Sequence, residues 1–106
     1  MPWSGEELMT VNGVPYYNDS KATNPDSTIK ALEAFEGHII LLAGGHDKMT
    51  PLEPMMKLVQ AKTDVLILLG EAKERFYEAA AAAGVSDIRK AATMDEAVEL
   101  AYKLAA

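Results

Sequence analysis

The chain has 106 residues, enough for one small domain and too few for two. Half of the residues are apolar (49%) and a quarter are charged (25%), an ordinary soluble balance. The net charge of −6 argues against a nonspecific nucleic-acid binder, and the absence of cysteine excludes disulfides, thiolate metal sites and a cysteine nucleophile.

The first residues, Met-Pro-Trp-Ser-Gly-Glu-Glu, lack the basic and apolar regions of a signal peptide, and no apolar run approaches a membrane span. A cytoplasmic protein is the expectation. Leu8–Val11 and Val14–Tyr17 flank Asn12-Gly13, a pair that tolerates tight hairpin turns, so a β-hairpin is predicted. Pro15 lacks a backbone donor and suggests that its strand lies at an edge there.

A polar segment follows, residues 18–24, running into a helix start. Asn24 is a good N-cap, Pro25 suits the first helical position, and Asp26 complements the helix dipole. Ile29, Leu32 and Phe35 share one face, and Gly37 closes the helix. His38–Ala43 is a near-continuous apolar run, the pattern of a strand buried on both faces. After the loop Gly44-Gly45-His46-Asp47-Lys48, the string Thr50-Pro51-Leu52-Glu53 reads as a capping box. Leu52, Met55, Met56 and Val59 then mark the inner face of an amphipathic helix.

Val65–Leu69 repeats the buried-strand pattern. The next helix is predicted from Glu71 to Ala83, with Phe76, Ala79, Ala80 and Ala83 inward and Gly84 ending it. Residues 86–91 read as a weaker strand. Thr93-Met94-Asp95-Glu96 is a second capping box, opening a helix whose inner face is Met94, Ala97, Val98 and Ala101. Alternating strands and helices with short links imply an α/β fold: a three-layer, Rossmann-like domain with a mainly parallel sheet, an N-terminal β-hairpin, and helices on both faces.

Ligands in such sheets gather at the carboxyl ends of strands, where residues 18–24 and 44–48 fall. Lys21 is placed to neutralise a phosphate or carboxylate beside the helix N–H groups, Asp19 to accept hydrogen bonds from ribose hydroxyls, and Thr23 to donate over a short reach. The same string reads as a turn plus an N-cap, a common use of these residues, and pattern alone leans slightly that way. Gly44-Gly45 permits close backbone approach and lets Asp47-Lys48 present a cation, although taken alone the string reads better as a flexible loop with solvated charges. Neither G-x-x-x-x-G-K-[ST] nor G-x-G-x-x-G occurs, so a phosphate-cradling ATP loop within these residues is not expected. No His and carboxylate spacing suggests a metal cage, so no metal ligand is predicted; His38, His46 and the Met55-Met56 pair read as ordinary.

Four strings together resemble the third domain of the Mur ligases: Val11-Asn12-Gly13-Val14; Tyr17-Asn18-Asp19-Ser20-Lys21-Ala22-Thr23-Asn24-Pro25; Ala31-Leu32-Glu33-Ala34-Phe35; and Leu42-Ala43-Gly44-Gly45 with Asp47-Lys48. The second string resembles the members that add D-glutamate, and the likeness runs from about residue 8 to residue 105. It implies the closing domain of an ATP-dependent amide ligase that joins D-glutamate to UDP-N-acetylmuramoyl-L-alanine in peptidoglycan precursor synthesis. ATP would phosphorylate the acceptor carboxylate, and the amine of D-glutamate would attack the acyl phosphate.

By the same resemblance, Asp19 and Lys21 would bind the nucleotide, and Lys21, Thr23 and Lys48 would bind D-glutamate. ATP and Mg2+ would sit mainly on a central ATPase domain against which this one packs. No nucleic acid or membrane span is implied, and a monomer is expected. Trp3-Ser4 stand where the family has a His-Arg pair, and the sequence stops before the final strand and Ser-Pro-Ala-Cys-Ala-Ser loop of the family. The expectation is therefore a piece of a three-domain enzyme, inactive alone and with no catalytic residue of its own. The alternative is a stand-alone, noncatalytic α/β module that binds a nucleotide or amino acid.

Overall fold

The computed structural model describes residues 7–11, 14–19, 25–34, 37–45 and 51–105. Nine elements follow in chain order: β1 (Glu7–Val11), β2 (Val14–Asp19), α1 (Pro25–Glu33), β3 (Ile39–Gly44), α2 (Glu53–Lys62), β4 (Thr63–Leu69), α3 (Lys73–Ala82), β5 (Ile88–Lys90) and α4 (Met94–Ala105). The strands form one sheet in the order β1-β2-β3-β4-β5. β1 runs antiparallel to β2, and β2 through β5 are parallel.

The helices divide between two faces for a simple reason. Each crossover from β2 to β5 steps the same way along the sheet, and right-handed crossovers stepping one way lay their helices on one face. Leu32 of α1, Met55, Met56 and Val59 of α2, and Phe76 and Ala80 of α3 accordingly share a core with Ile39, Leu41, Leu66 and Leu68. Among the described residues, α4 is the helix that covers the other face, packing Ala97, Val98 and Ala101 on Tyr16, Ile40, Leu42, Val65 and Ile67. Alternate residues of β3 and β4 thus enter opposite cores, which is why both strands read as unbroken apolar runs.

Several expectations are refined. Pro15 does not mark an edge strand, because β2 lies between β1 and β3. It stands opposite Thr10, and pairing with β3 begins one residue later, at Tyr16 and Ile40. The missing donor therefore falls beyond the parallel ladder and costs it nothing. The expected capping box at Thr50 also shifts. α2 starts at Glu53 behind Leu52, which makes no side-chain capping bond, and Pro54 takes an early helical position. Thr50, Asn24 and Phe35 lie outside the described residues, as does the hairpin turn at residues 12–13.

Thr93 caps α4 as its place in the second capping-box string suggested: the Glu96 N–H donates to Thr93 Oγ1 at 3.2 Å. Gly84, at φ 88°, closes α3 as a Schellman turn, with the Val85 N–H donating to Ala80 O and the Gly84 N–H to Ala81 O, both at 3.1 Å. Among the described residues, no helix is long and apolar enough to cross a membrane.

A buried polar contact fastens α4 to the sheet. The Tyr16 hydroxyl, on a fully buried side chain, donates to the carbonyl of Ala101. Burial, and then the nearby Tyr102, push the Tyr16 hydroxyl above its usual range. A folded-state pKa above the unfolded value means that the associated stability is complete below about pH 10 and is lost as pH rises through the folded value.

Tyr16→Phe should therefore cost about 1 kcal/mol in urea unfolding at neutral pH. It should also flatten the decline of stability as pH rises above about 10; an equally steep decline in the variant would show that Tyr16 is not its source. A pair of glycine substitutions separates two kinds of glycine. Gly84→Ala, whose added carbon would meet only Gln60 Cγ at an ordinary 3.9 Å, should cost about 1 kcal/mol for the left-handed backbone alone. Gly44→Ala would place Cβ 1.8 Å from Leu69 O and should cost more than about 3 kcal/mol or abolish folding.

Candidate functional site at the carboxyl rim of the sheet

The four parallel strands end at one rim, and each of the four helices begins there. One row of register partners crosses it: Asp19 stands beside Ala43, Ala43 beside Leu68, and Leu68 beside Lys90. Residues 20–24 and 46–50 thus continue from the ends of two neighbouring parallel strands. Adjacent strands lie about 4.8 Å apart, so the ends of β2 and β3 stand side by side. Lys21, Thr23 and Lys48 fall within them and lie outside the described residues; of the expected site, the described part is the backbone of Asp19.

The glycine pair is described, and its role is specific. Gly44 and Gly45 have φ of 137° and 87°, and Gly70 has φ of 90°. The Gly45 N–H donates to Leu69 O, and Gly45 O accepts from the Ala72 N–H, each at 3.0 Å. A Cβ on Gly70 would come within 2.6 Å of the Gly45 nitrogen. Close backbone approach was the reason to expect glycine here. The group approached is the end of β4 and the start of α3, not a ligand. This seam fixes the point from which residues 46–50 depart.

Helix amino termini carry partial positive charge, and two of those at the rim have no side-chain cap. The N-cap residues of α2 and α3 are Leu52 and Ala72, neither of which makes a side-chain capping bond. α4 differs, because Thr93 caps it. The rim also holds a cation that the sequence did not single out. Lys90 Nζ sits 3.0 and 2.9 Å from the two carboxylate oxygens of Glu74 and 4.4 Å from the Tyr77 ring centroid. It ties the end of β5 to α3. The only sequence signal for it was a lysine at the carboxyl end of a weak strand.

The remaining readings divide cleanly. His38 lies at the opposite rim, paired with Asp64 at 3.1 Å, and so is remote from the row through Asp19. Met55 and Met56 are fully buried in the core. Among the described residues, no group of three or more His, Cys, Asp or Glu side chains is arranged to hold a metal ion. The sheet order shows no reversal among the described strands, so the crevice that a reversal opens is not formed by them. What the rim offers is two neighbouring loop origins, glycine-fixed backbone and helix dipoles pointing outward.

The comparison with known proteins agrees with this architecture. The family described as "Mur ligase, glutamate ligase domain" matches residues 6–106. A protein of Geobacter sp. (strain M21) named UDP-N-acetylmuramoylalanine--D-glutamate ligase is 42% identical over 98% of this chain. Proteins of the same name from Geotalea daltonii and Pelobacter propionicus are each 46% identical, over 94% and 95% of the chain. The chain spans 23%, 22% and 22% of the length of these three relatives, respectively. With the family matched over nearly every residue and the expected α/β sheet in place, this chain belongs to the Mur ligase family, as its glutamate ligase domain.

Proposed function

We propose that this chain is the closing domain of a cytoplasmic, monomeric ATP-dependent amide ligase that adds D-glutamate to UDP-N-acetylmuramoyl-L-alanine in peptidoglycan precursor synthesis. The observation that carries the reading is the joint origin of two segments at neighbouring strand ends, one with Asp19, Lys21 and Thr23 and the other with Lys48. The shared name of the relatives supports the choice of amino acid.

ATP supplies the phosphoryl group that activates the acceptor carboxylate, with Mg2+ held by a central domain that these residues do not include. The chain's own groups bind and orient. The Asp19 carboxylate accepts hydrogen bonds from ribose hydroxyls, and Lys21 stands near the phosphates and the incoming amino acid. The Thr23 hydroxyl and the Lys48 ammonium donate to the carboxylates of D-glutamate. A doubly charged amino acid held at both carboxylates has its amine aimed at the acyl carbon, and such positioning supplies much of a ligase's rate. Packing of the domain against the central ATPase domain completes the arrangement.

Two measurements test this. In the full-length enzyme, Lys48→Ala should raise the KM for D-glutamate on the order of 10- to 100-fold, the loss of one charge-assisted hydrogen bond. An unchanged KM removes Lys48 from the site. The chain of 106 residues by itself should show no ATPase activity and only weak binding in a D-glutamate and ATP titration. Tight binding would instead favour a self-sufficient binding module.

A further inference from the structure

α3 begins without a side-chain cap, since Ala72 makes no capping bond. Contacts with the rest of the sheet set its start instead. The Ala72 N–H donates to Gly45 O at 3.0 Å. Two residues on, in the first turn, Glu74 holds Lys90 Nζ at 3.0 and 2.9 Å from its two carboxylate oxygens. Tyr77, one turn further along the same helix face, also meets that ammonium, with its ring centroid 4.4 Å away.

The backbone of Lys90 is fixed from the other side. It stands opposite Leu68 at the last register position of the three-residue strand β5, and the Ala91 N–H donates to Leu68 O at 2.8 Å. The next residue of β4, Leu69, accepts the Gly45 N–H at 3.0 Å. The contacts therefore close a ring. It runs from Gly45 to Leu69, across to β5 and Lys90, over the Lys90 side chain to Glu74, and back through Ala72 to Gly45. In that ring the link from Lys90 to Glu74 is made by side chains and the others by backbone. With 38% of the Lys90 side chain and 67% of the Glu74 side chain exposed, the pair adds little to overall stability. Its effect is local: two carboxylate oxygens and a ring face hold one ammonium against the first turn of α3.

We propose that Lys90 is a positioning residue of the rim. By holding the first turn of α3 it keeps the Ala72 N–H on Gly45 O, and so fixes the backbone after which the residues leading to Lys48 follow. It touches no ligand in this role. The consequence for D-glutamate rests on the ligase reading proposed above, whereas the tie to Gly45 does not.

Lys90→Met, which keeps an apolar stem and loses the charge, supplies the test. In amide hydrogen exchange on the chain, the Ala72 N–H should exchange about threefold faster than without the substitution. The Val85 N–H, bonded to Ala80 O at the far end of α3, should keep its rate. In the full-length enzyme, Lys90→Met should raise the KM for D-glutamate about threefold and change kcat by less than about twofold. Lys90→Arg, able to pair with both oxygens of Glu74, should restore both exchange and KM. In a Lys48→Ala background, Lys90→Met should add nothing. An unchanged Ala72 rate overturns the proposal. So does equal acceleration at Val85, which would mark a general loss of stability. A KM that Lys90→Met leaves unchanged, or raises equally in both backgrounds, overturns the link to the ligand. If Lys48→Ala alone leaves KM unchanged, the assignment of Lys48 fails instead, and the exchange rates still decide whether Lys90 holds Gly45.

Discussion

The geometry of the rim depends on a backbone contact that excludes side chains. At Gly44 an added carbon would overlap the carbonyl of Leu69, and at Gly70 it would overlap the backbone of Gly45. Two adjacent strand ends are thereby brought closer than any residue with a side chain permits, and the hydrogen bonds from Gly45 to Leu69 and from Ala72 to Gly45 lock them there. All three glycines also adopt positive φ, a region costly to other residues. The steric and conformational requirements coincide, so the seam is over-determined. A loop that must present a charge in one direction needs such a rigid point of departure, because error at its base is multiplied along its length.

The layer structure was legible in the sequence because burial leaves a periodic trace. Leu52, Met55, Met56 and Val59 are all buried, as their spacing required, and the apolar runs at residues 39–43 and 65–69 are buried on both faces. Gly84 was legible as a helix stop for the same local reason that it forms a Schellman turn. Features that depend on distant partners were not. Pro15 suggested an edge, yet the ladder with β3 simply begins one residue beyond it. The start of α2 at Glu53 rather than after Thr50, and the pairing of Lys90 with Glu74 and Tyr77, depend on where other elements lie. For the candidate site, the residue types come from the sequence and its resemblance, and the sheet adds that β2 and β3, after which they follow, end at neighbouring positions.

The division of helices has an energetic consequence. Three helices share one core, so removing a side chain there leaves neighbours from several elements to relax into the space. Among the described residues, the second core takes its helical side from α4 and includes the contact of Tyr16 with Ala101. A buried hydroxyl without its acceptor costs more than the hydrogen bond it would make. Tyr16 therefore acts less as added attraction than as a penalty on every other placement of α4, which favours one register of helix on sheet. The apolar contacts of Ala97, Val98 and Ala101 are non-directional and would tolerate a shift that this hydroxyl does not.

Specificity of placement matters because the rim is assembled from unlike parts. Helix dipoles and strand ends each contribute a modest attraction for an acidic ligand, and neither is a site by itself. Their sum is large only when they converge, and convergence here is a property of the sheet: parallel strands carry every helix start to the same edge. A chain of net charge −6 can then offer a locally positive surface without altering its overall charge. Long-range repulsion from the remaining carboxylates is screened over about 8–10 Å at physiological salt, whereas contacts within the rim are shorter than that. The local arrangement, and not the net charge, decides which anions such a domain can hold.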